Sequence, residues 1–196
     1  VDYRCANARA EPTWFNGAAP SFGDPNARLL IVGLAPGRTG ANRTGRPFTG
    51  DYAGELLYAT LKKLGLAHGE YRADPNDGFI LKNAMVTNAV RCAPPENKPT
   101  PAEIAACRPF LAARLRALAN VRAILALGSI AHESVLRAHE LKPAHAKFAH
   151  GAEAELTHDR VLVSSYHCSR YNTQTRRLTA EMFEAVMARA KMLAGL

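Results

Sequence analysis

The chain is short of several things, and each shortage closes off a class of protein. No stretch approaches the ~20 consecutive apolar residues that cross a bilayer, and the opening segment VDYRCANARAEPTW lacks the apolar core of a secretion signal. A cytoplasmic protein with no membrane partner is the expectation. The four cysteines, Cys5, Cys92, Cys107 and Cys168, form no CxxC pair. In such a compartment they read as reduced thiols or metal ligands rather than disulfides. There is no internal repeat and no low-complexity stretch. Lys and Arg exceed Asp and Glu by 25 to 17, a formal charge of +8, yet no long run of like charge carries the excess. A basic folded surface without a basic tail suits nucleic acid, an anionic small ligand, or nothing specific.

At 196 residues the chain is long enough to bury a real core as one domain over 1–196, with residues 1–26, rich in Pro, Asn and aromatics, as an arm laid over it. Its organising stretch is Arg28 to Asp51, RLLIVGLAPGRTGANRTGRPFTGD. The branched apolar run Leu29 to Val32 reads as a buried strand emptying into a glycine-rich loop, with a helix from Tyr52 to Leu64 behind it. In open α/β sheets ligands bind where strand ends feed such loops. Arg38, Arg43 and Arg46 among the glycines point to an anionic ligand. The loop lacks the GK[ST] ending of a P-loop, which sets a nucleotide-binding reading well back.

Three more strands are expected at Ala84–Val90, Val121–Leu127 and Val161–Ser165, alternating with helical patterns. Thr100 and Glu103 form a capping box for a helix holding Ile104, Phe110, Leu111, Leu115 and Leu118. A short helix follows Gly128, and the final helix, Thr179 to Leu196, carries the stripe Met182, Phe183, Val186 and Met187. The segment AHGEYRADPNDG reads as a plain connection. Strand–helix alternation argues for a parallel sheet covered on both faces. From the residues alone, Asp51 reads first as the N-cap of the helix behind it, Phe48 as a core residue, His167 as a surface histidine, and Asn88 as a strand-end group satisfying backbone.

Three motifs in order, GLAPG…NRTGRPFTGD (33–51), TNAVRCAPPENKPTP (87–101) and SYHCSRYNTQT (165–175), resemble family 5, the B type, of the uracil-DNA glycosylases over most of the chain. The resemblance implies a three-layer αβα sandwich with a central four-stranded parallel sheet, acting on uracil flipped out of DNA as a monofunctional DNA repair hydrolase that leaves an abasic site. It implies Asp51 as the acid that serves the water and the cationic sugar, and His167 as a neutral donor to the uracil carbonyl. Positions that carry an acid or amide in related families are Leu34 and Ala35 here, so both jobs fall to Asp51, and the plain pocket floor implies tolerance of hypoxanthine. Phe48 is implied to stack on the base, Asn88 to read its edge, and Asn97 and the Gly33–Ala35 backbone to line the pocket. Arg43, Arg46, Lys98, Ser169, Arg170 and Tyr171 are the implied DNA contacts, Arg170 and Tyr171 also filling the gap left by the base. No lysine in the motifs suggests a Schiff-base nucleophile.

Cys92 and Cys107 match two of the four ligands that such relatives give a structural [4Fe–4S] cluster. The other pair, a CxxC, is absent. The segment DYRCANARAEPTW resembles the stretch just after that pair in relatives, so an upstream piece is expected to be missing. Cys168 is expected to pack near the site rather than act as a nucleophile. His145, His150 and His158 fit no zinc spacing. The expected partner is uracil-containing DNA, met by a nucleoid-associated monomer; the alternative is a catalytically weak uracil-DNA binding module.

Overall fold

Leu29 to Gly33 is fully buried along its length, as a strand with covered faces on both sides must be. In the computed structural model, which describes residues 2–196 (Val1 lies outside them), this strand is one of the two central strands of a six-stranded sheet. In chain order the elements are α1 (Asp2–Ala10), β1 (Phe22–Gly23), β2 (Leu29–Gly33), α2 (Ala41–Thr44), α3 (Tyr52–Lys63), β3 (Ala67–His68), β4 (Ile80–Leu81) and β5 (Ala84–Asn88). There follow α4 (Pro101–Ala117), β6 (Ala123–Leu127), α5 (Ser129–Ala138), β7 (Glu153–Thr157), β8 (Arg160–Ser165), α6 (Arg170–Gln174) and α7 (Ala180–Leu193).

The sheet order is β1-β5-β2-β6-β8-β7. Its inner four strands are parallel, the expected set, with Gly33 opposite Asn88 and Leu127 opposite Ser165 at their carboxyl ends. The expectation of four strands is too small by two antiparallel edges. Strand β1 is two residues long, and β7 alternates charged and small residues on a half-solvated edge, so neither shows an apolar run. The connection between α3 and β5 also holds a small hairpin, β3 with β4.

Successive side chains on a strand face opposite ways, and the sequence fills both faces. Leu29, Ile31, Val86, Leu125 and Val163 meet α3 and α7 through Leu57, Leu61, Phe183 and Met187. Leu30, Val32, Met85, Ile124 and Leu162 meet α4 and α5 through Leu111, Leu115, Val135 and Leu136. This is the three-layer sandwich. The Thr100–Glu103 capping box forms in both directions, and of the apolar residues the helix holds, Leu111 and Leu115 are buried while Phe110 is 60% exposed. The arm runs along the glycine-rich loop, Phe15 and Asn16 donating backbone hydrogen bonds to the carbonyls of Arg43 and Asn42 at 3.0 and 2.9 Å.

Candidate active site

The loops leaving β2, β5 and β8 meet at the carboxyl edge of the sheet around a cavity of about 580 Å³. Leu34 and Ala35 line it directly behind β2, and Phe48, Asp51, Asn88 and His167 face the same space. Four residues from three separate motifs are thereby brought to one cavity.

Asp51 proves to be the helix cap and a wall of the cavity at once. Its Oδ1 accepts from the Gly54 N–H at 3.1 Å, capping α3, while Oδ2 occupies space that a side chain at Gly40 would need. Burial raises its pKa above the ordinary carboxylate value, partly offset by the Gly54 and Ala53 backbone donors. Opposite, His167 is pushed down to about 4 by desolvation, so its ring is neutral at pH 7 with one donor and one acceptor. No described residue hydrogen-bonds that ring, although its backbone carbonyl accepts from Asn172 Nδ2 at 2.9 Å.

Phe48 lies nearly parallel to His167, 25° between ring planes and 6.0 Å between centroids. The core reading and the site reading both hold for it: the residue is buried, yet its ring lines the cavity. Its φ of +54° is a left-handed conformation unfavourable for a bulky residue. Asn88 ends β5, is 4% exposed, and its Oδ1 has no hydrogen-bond partner among the described residues. A buried acceptor left open in this way is costly, and a ligand N–H in the cavity would satisfy it. Gly33 makes this possible: a Cβ there would lie 2.4 Å from Phe48 Cζ and 2.5 Å from Asn88 Oδ1.

Asn97 lines the outer cavity, its Oδ1 accepting from the Arg38 N–H at 3.3 Å. Ser169 caps α6 by accepting from Asn172 N at 3.4 Å and so aims the start of that helix. Arg170 lines the mouth with its guanidinium 5.2 Å from the Tyr52 ring centre, and Tyr171 is 72% exposed. Arg43 and Lys98 are exposed outside the cavity. Arg46 must be corrected. It is buried, its guanidinium paired with both carboxylate oxygens of Asp77 at 2.8 Å and its Nε donating to Thr49 Oγ1 at 2.7 Å. A phosphate cannot reach it. The expectation treats every loop arginine as solvent-facing because nothing local in the sequence marks Asp77, thirty-one residues on, as its partner.

Of two further residues at the mouth, the sequence marks Arg38 only as one of the loop arginines that point to an anionic ligand and does not mark Tyr52. Tyr52 follows Asp51 and is 42% exposed. Arg38 is steadied by Asn7 Oδ1 at 3.2 Å and by the Trp14 ring at 5.3 Å. Arg38's place among the glycines is a signal for it; Tyr52 has none.

Cys168 is fully buried, its thiol donating to the Ala53 carbonyl and its pKa raised by desolvation, which suits packing and not nucleophilic attack. Cys92 and Cys107 are free and half-buried, and both lie in the field of the Arg91 guanidinium. They could supply two thiolates to a cluster, but the described residues form no group of three His, Cys, Asp or Glu able to hold a metal. Cys5 is exposed, and its neighbour Arg4 approaches Cys92 Sγ at 3.9 Å. As described, this donor set does not fit a four-thiolate cluster. His145 and His150 instead hydrogen-bond backbone, at Glu155 O and Tyr166 N. Among the described residues no helix is long and apolar enough to cross a membrane.

Comparison with known proteins places this geometry among relatives. The family model for the uracil DNA glycosylase superfamily matches residues 20–191. The chain is 50% identical over 188 residues to a type-5 uracil-DNA glycosylase of Thermus thermophilus, covering 96% of this chain and 85% of that protein. It is 42% identical over 191 residues to one from Mycobacterium bovis, covering 96% and 71%. Against one from Pyrobaculum aerophilum it is 40% identical over 183 residues, covering 93% and 79%.

Proposed function

The chain belongs to the uracil DNA glycosylase superfamily, and from that premise we propose that it hydrolyses the N-glycosidic bond of uracil in DNA. One observation carries the reading: a single cavity is faced by a carboxylate, a neutral imidazole, an aromatic ring and an unpartnered buried amide oxygen, Asp51, His167, Phe48 and Asn88. Uracil extruded from the helix stacks on Phe48. Its N3–H meets the open Asn88 Oδ1, a donor that cytosine does not have at that position.

As the bond from C1′ to N1 breaks, its electron pair leaves on uracil and positive charge grows on the sugar. The Asp51 carboxylate stabilises that cation and aligns a water, whose oxygen bonds to C1′ as one of its protons passes to solvent. His167 donates from its neutral ring to the carbonyl where negative charge collects, and the departing base takes a proton from solvent. Fixed groups aimed at developing charge are the strongest general source of such rate enhancement. The product is an abasic site with the strand intact. The floor made by Leu34 and Ala35 offers no polar side chain to reject a larger base, so hypoxanthine is proposed as a further substrate. Arg43, Lys98, Arg170 and Tyr171 are the proposed DNA contacts, and the protein is proposed to act as a monomer.

The test is a labelled duplex carrying one uracil, incubated with the protein and then treated with hot alkali. Cleavage only after alkali supports the reading, and intact DNA despite tight binding would point to a binding module instead. An inosine duplex cleaved to no detectable extent would remove hypoxanthine. A structural [4Fe–4S] cluster on Cys92 and Cys107 is proposed separately and requires two further thiolates that the described residues do not bring to them. Iron and acid-labile sulfide in equal amounts would support it; their absence would remove it.

A further inference from the structure

The connection between α3 and β5 delivers Tyr71, Asp77 and Phe79 beneath the site loop, where they surround Arg46 and the turn after it. Asp77 is completely buried at its side chain and holds the Arg46 fork. The guanidinium also sits 5.0, 5.7 and 5.6 Å from the ring centres of Phe22, Tyr58 and Tyr71. Neighbouring carbonyls of the turn are then gripped in succession. The Tyr58 hydroxyl donates to Pro47 O, and the Tyr71 hydroxyl donates to Phe48 O at 3.1 Å. Tyr71 Oη also faces the Gly50 N–H at 3.4 Å.

Phe48 needs such a grip because its backbone is in the left-handed region, and a conformation of that kind persists only when its surroundings over-determine it. The grip also reaches the acid. Gly54 stands in the first turn of α3, where a Cβ would lie 1.7 Å from Phe48 O and 2.7 Å from Tyr71 Oη. The same Gly54 donates its N–H to Asp51 Oδ1. One glycine thus touches the carbonyl of the base platform, the phenol that holds that carbonyl, and the carboxylate.

We propose that Tyr71 is a positioning residue for the glycosylase reaction: its hydroxyl, through Phe48 O and Gly54, fixes the stacking ring relative to the Asp51 carboxylate. The inference rests on the proposed function, since it needs Phe48 to be the surface on which the base stacks. Tyr71 does not touch the base. It acts by denying the Phe48 peptide its alternative rotations, so that an extruded base arrives already in register with the acid.

Tyr71→Phe removes the hydroxyl and keeps the ring that packs on Tyr58 at 4.7 Å and Phe79 at 5.9 Å between centroids. Single-turnover excision of uracil from a duplex is measured for the parent, Tyr71→Phe, Phe48→Leu and the double variant, with the affinity for a duplex carrying an abasic-site analogue beside it. The expected result is a roughly tenfold slower excision by Tyr71→Phe with abasic-duplex affinity unchanged, a loss of about one broken hydrogen bond to a positioned group. In the Phe48→Leu background the same change should cost less than twofold, because the ring it positions is gone. A Tyr71→Phe rate within twofold of the parent overturns the inference, as does a full additive loss on Phe48→Leu; a lower melting temperature with an unchanged rate would leave Tyr71 a folding residue only. An unchanged rate for Phe48→Leu alone would instead strike the stacking reading itself, so the two failures are distinguishable.

Discussion

On one side of the cavity, residues 46–54 have almost every polar group engaged: Arg46 on Asp77 and Thr49, the Pro47 and Phe48 carbonyls on two tyrosines, Asp51 on Gly54. On the other side, residues 166–172 are tied by Tyr166 N to His150, by the Cys168 thiol to the Ala53 carbonyl, and by the Ser169 cap and the Asn172 side chain, while no described residue hydrogen-bonds the His167 ring and Tyr171 stands in solvent. The first wall is a preorganised electrostatic surface, which costs no reorganisation when charge develops. The second is short, open and basic at its rim, the kind of surface that follows an incoming strand and completes itself on it. In the proposed roles, Asp51 and Phe48 belong to the first wall, and His167, Arg170 and Tyr171 to the second.

The contrast breaks most sharply at Asp51. Asp51→Asn should keep the cap on α3, since an amide oxygen can accept from Gly54, and lower excision by about 10³-fold, while binding of a uracil duplex changes little. An unchanged rate would remove Asp51 from the chemistry. In the proposed mechanism excision requires the ionised carboxylate, whose pKa burial raises above its ordinary 3.8. The acid limb of the rate should accordingly fall at a pH above that value, and a limb at or below it would contradict the assignment.

Undermining the rigid wall from behind should come next. Arg46→Ala leaves the Asp77 carboxylate buried without its partner, a change of about 3–5 kcal/mol in unfolding free energy, read by denaturant titration. Asp77 in the parent has its pKa pulled well below the ordinary 3.8 by the Arg46 hydrogen bonds. The unfolded chain therefore binds the proton first, and this contribution is present above pH 3.8 and lost as pH falls through the lowered value. Arg46→Ala should lose that acid dependence along with the stability. A variant as stable as the parent would mean that Arg46 is not what holds the wall.

On the open wall, His167→Ala should slow excision by about 10²-fold, measured under single turnover. Because burial holds the His167 ring at about 4, the unfolded chain protonates first as pH drops below the ordinary 6.5. Its effect on stability is nil above pH 6.5 and increasingly unfavourable down to about 4. His167→Ala should flatten the loss of stability across that window; an unflattened curve would mean that the ring is charged in the native protein.

Legibility in the sequence divides along the same line. The inner strands, both helical layers and the capping box could be read from apolar periodicity and cap spacing, which are local signals, while the meeting of Asp51, Phe48, Asn88 and His167 follows from the resemblance that the three ordered motifs carry. Hidden were the links that cross the chain: Asp77 for Arg46, Tyr71 for Phe48, Asn7 for Arg38. The linker AHGEYRADPNDG has the composition of a loop, and composition cannot show that a loop is packed under a site. Strand β7 was hidden for the opposite reason, since an edge strand half in water has no apolar run to display.

The smallest effects belong to the rim. Arg43 and Lys98 are exposed where Arg46 is buried, so three basic residues implied together as DNA contacts should separate in one experiment. Each phosphate contact released lowers the slope of log affinity against log salt by about 0.9. Arg43→Ala and Lys98→Ala should each reduce the slope for a uracil duplex by about that amount, weaken binding severalfold at moderate salt, and leave melting temperature and single-turnover excision at saturating protein unchanged. Arg46→Lys, which keeps the charge but not the planar fork, should do the reverse: an unchanged slope, because no charge is lost, and a lower melting temperature, because the Asp77 fork is broken. A slope unchanged by both Arg43→Ala and Lys98→Ala would remove these two residues from the DNA contacts and leave the rim of the cavity to Arg170 and Tyr171.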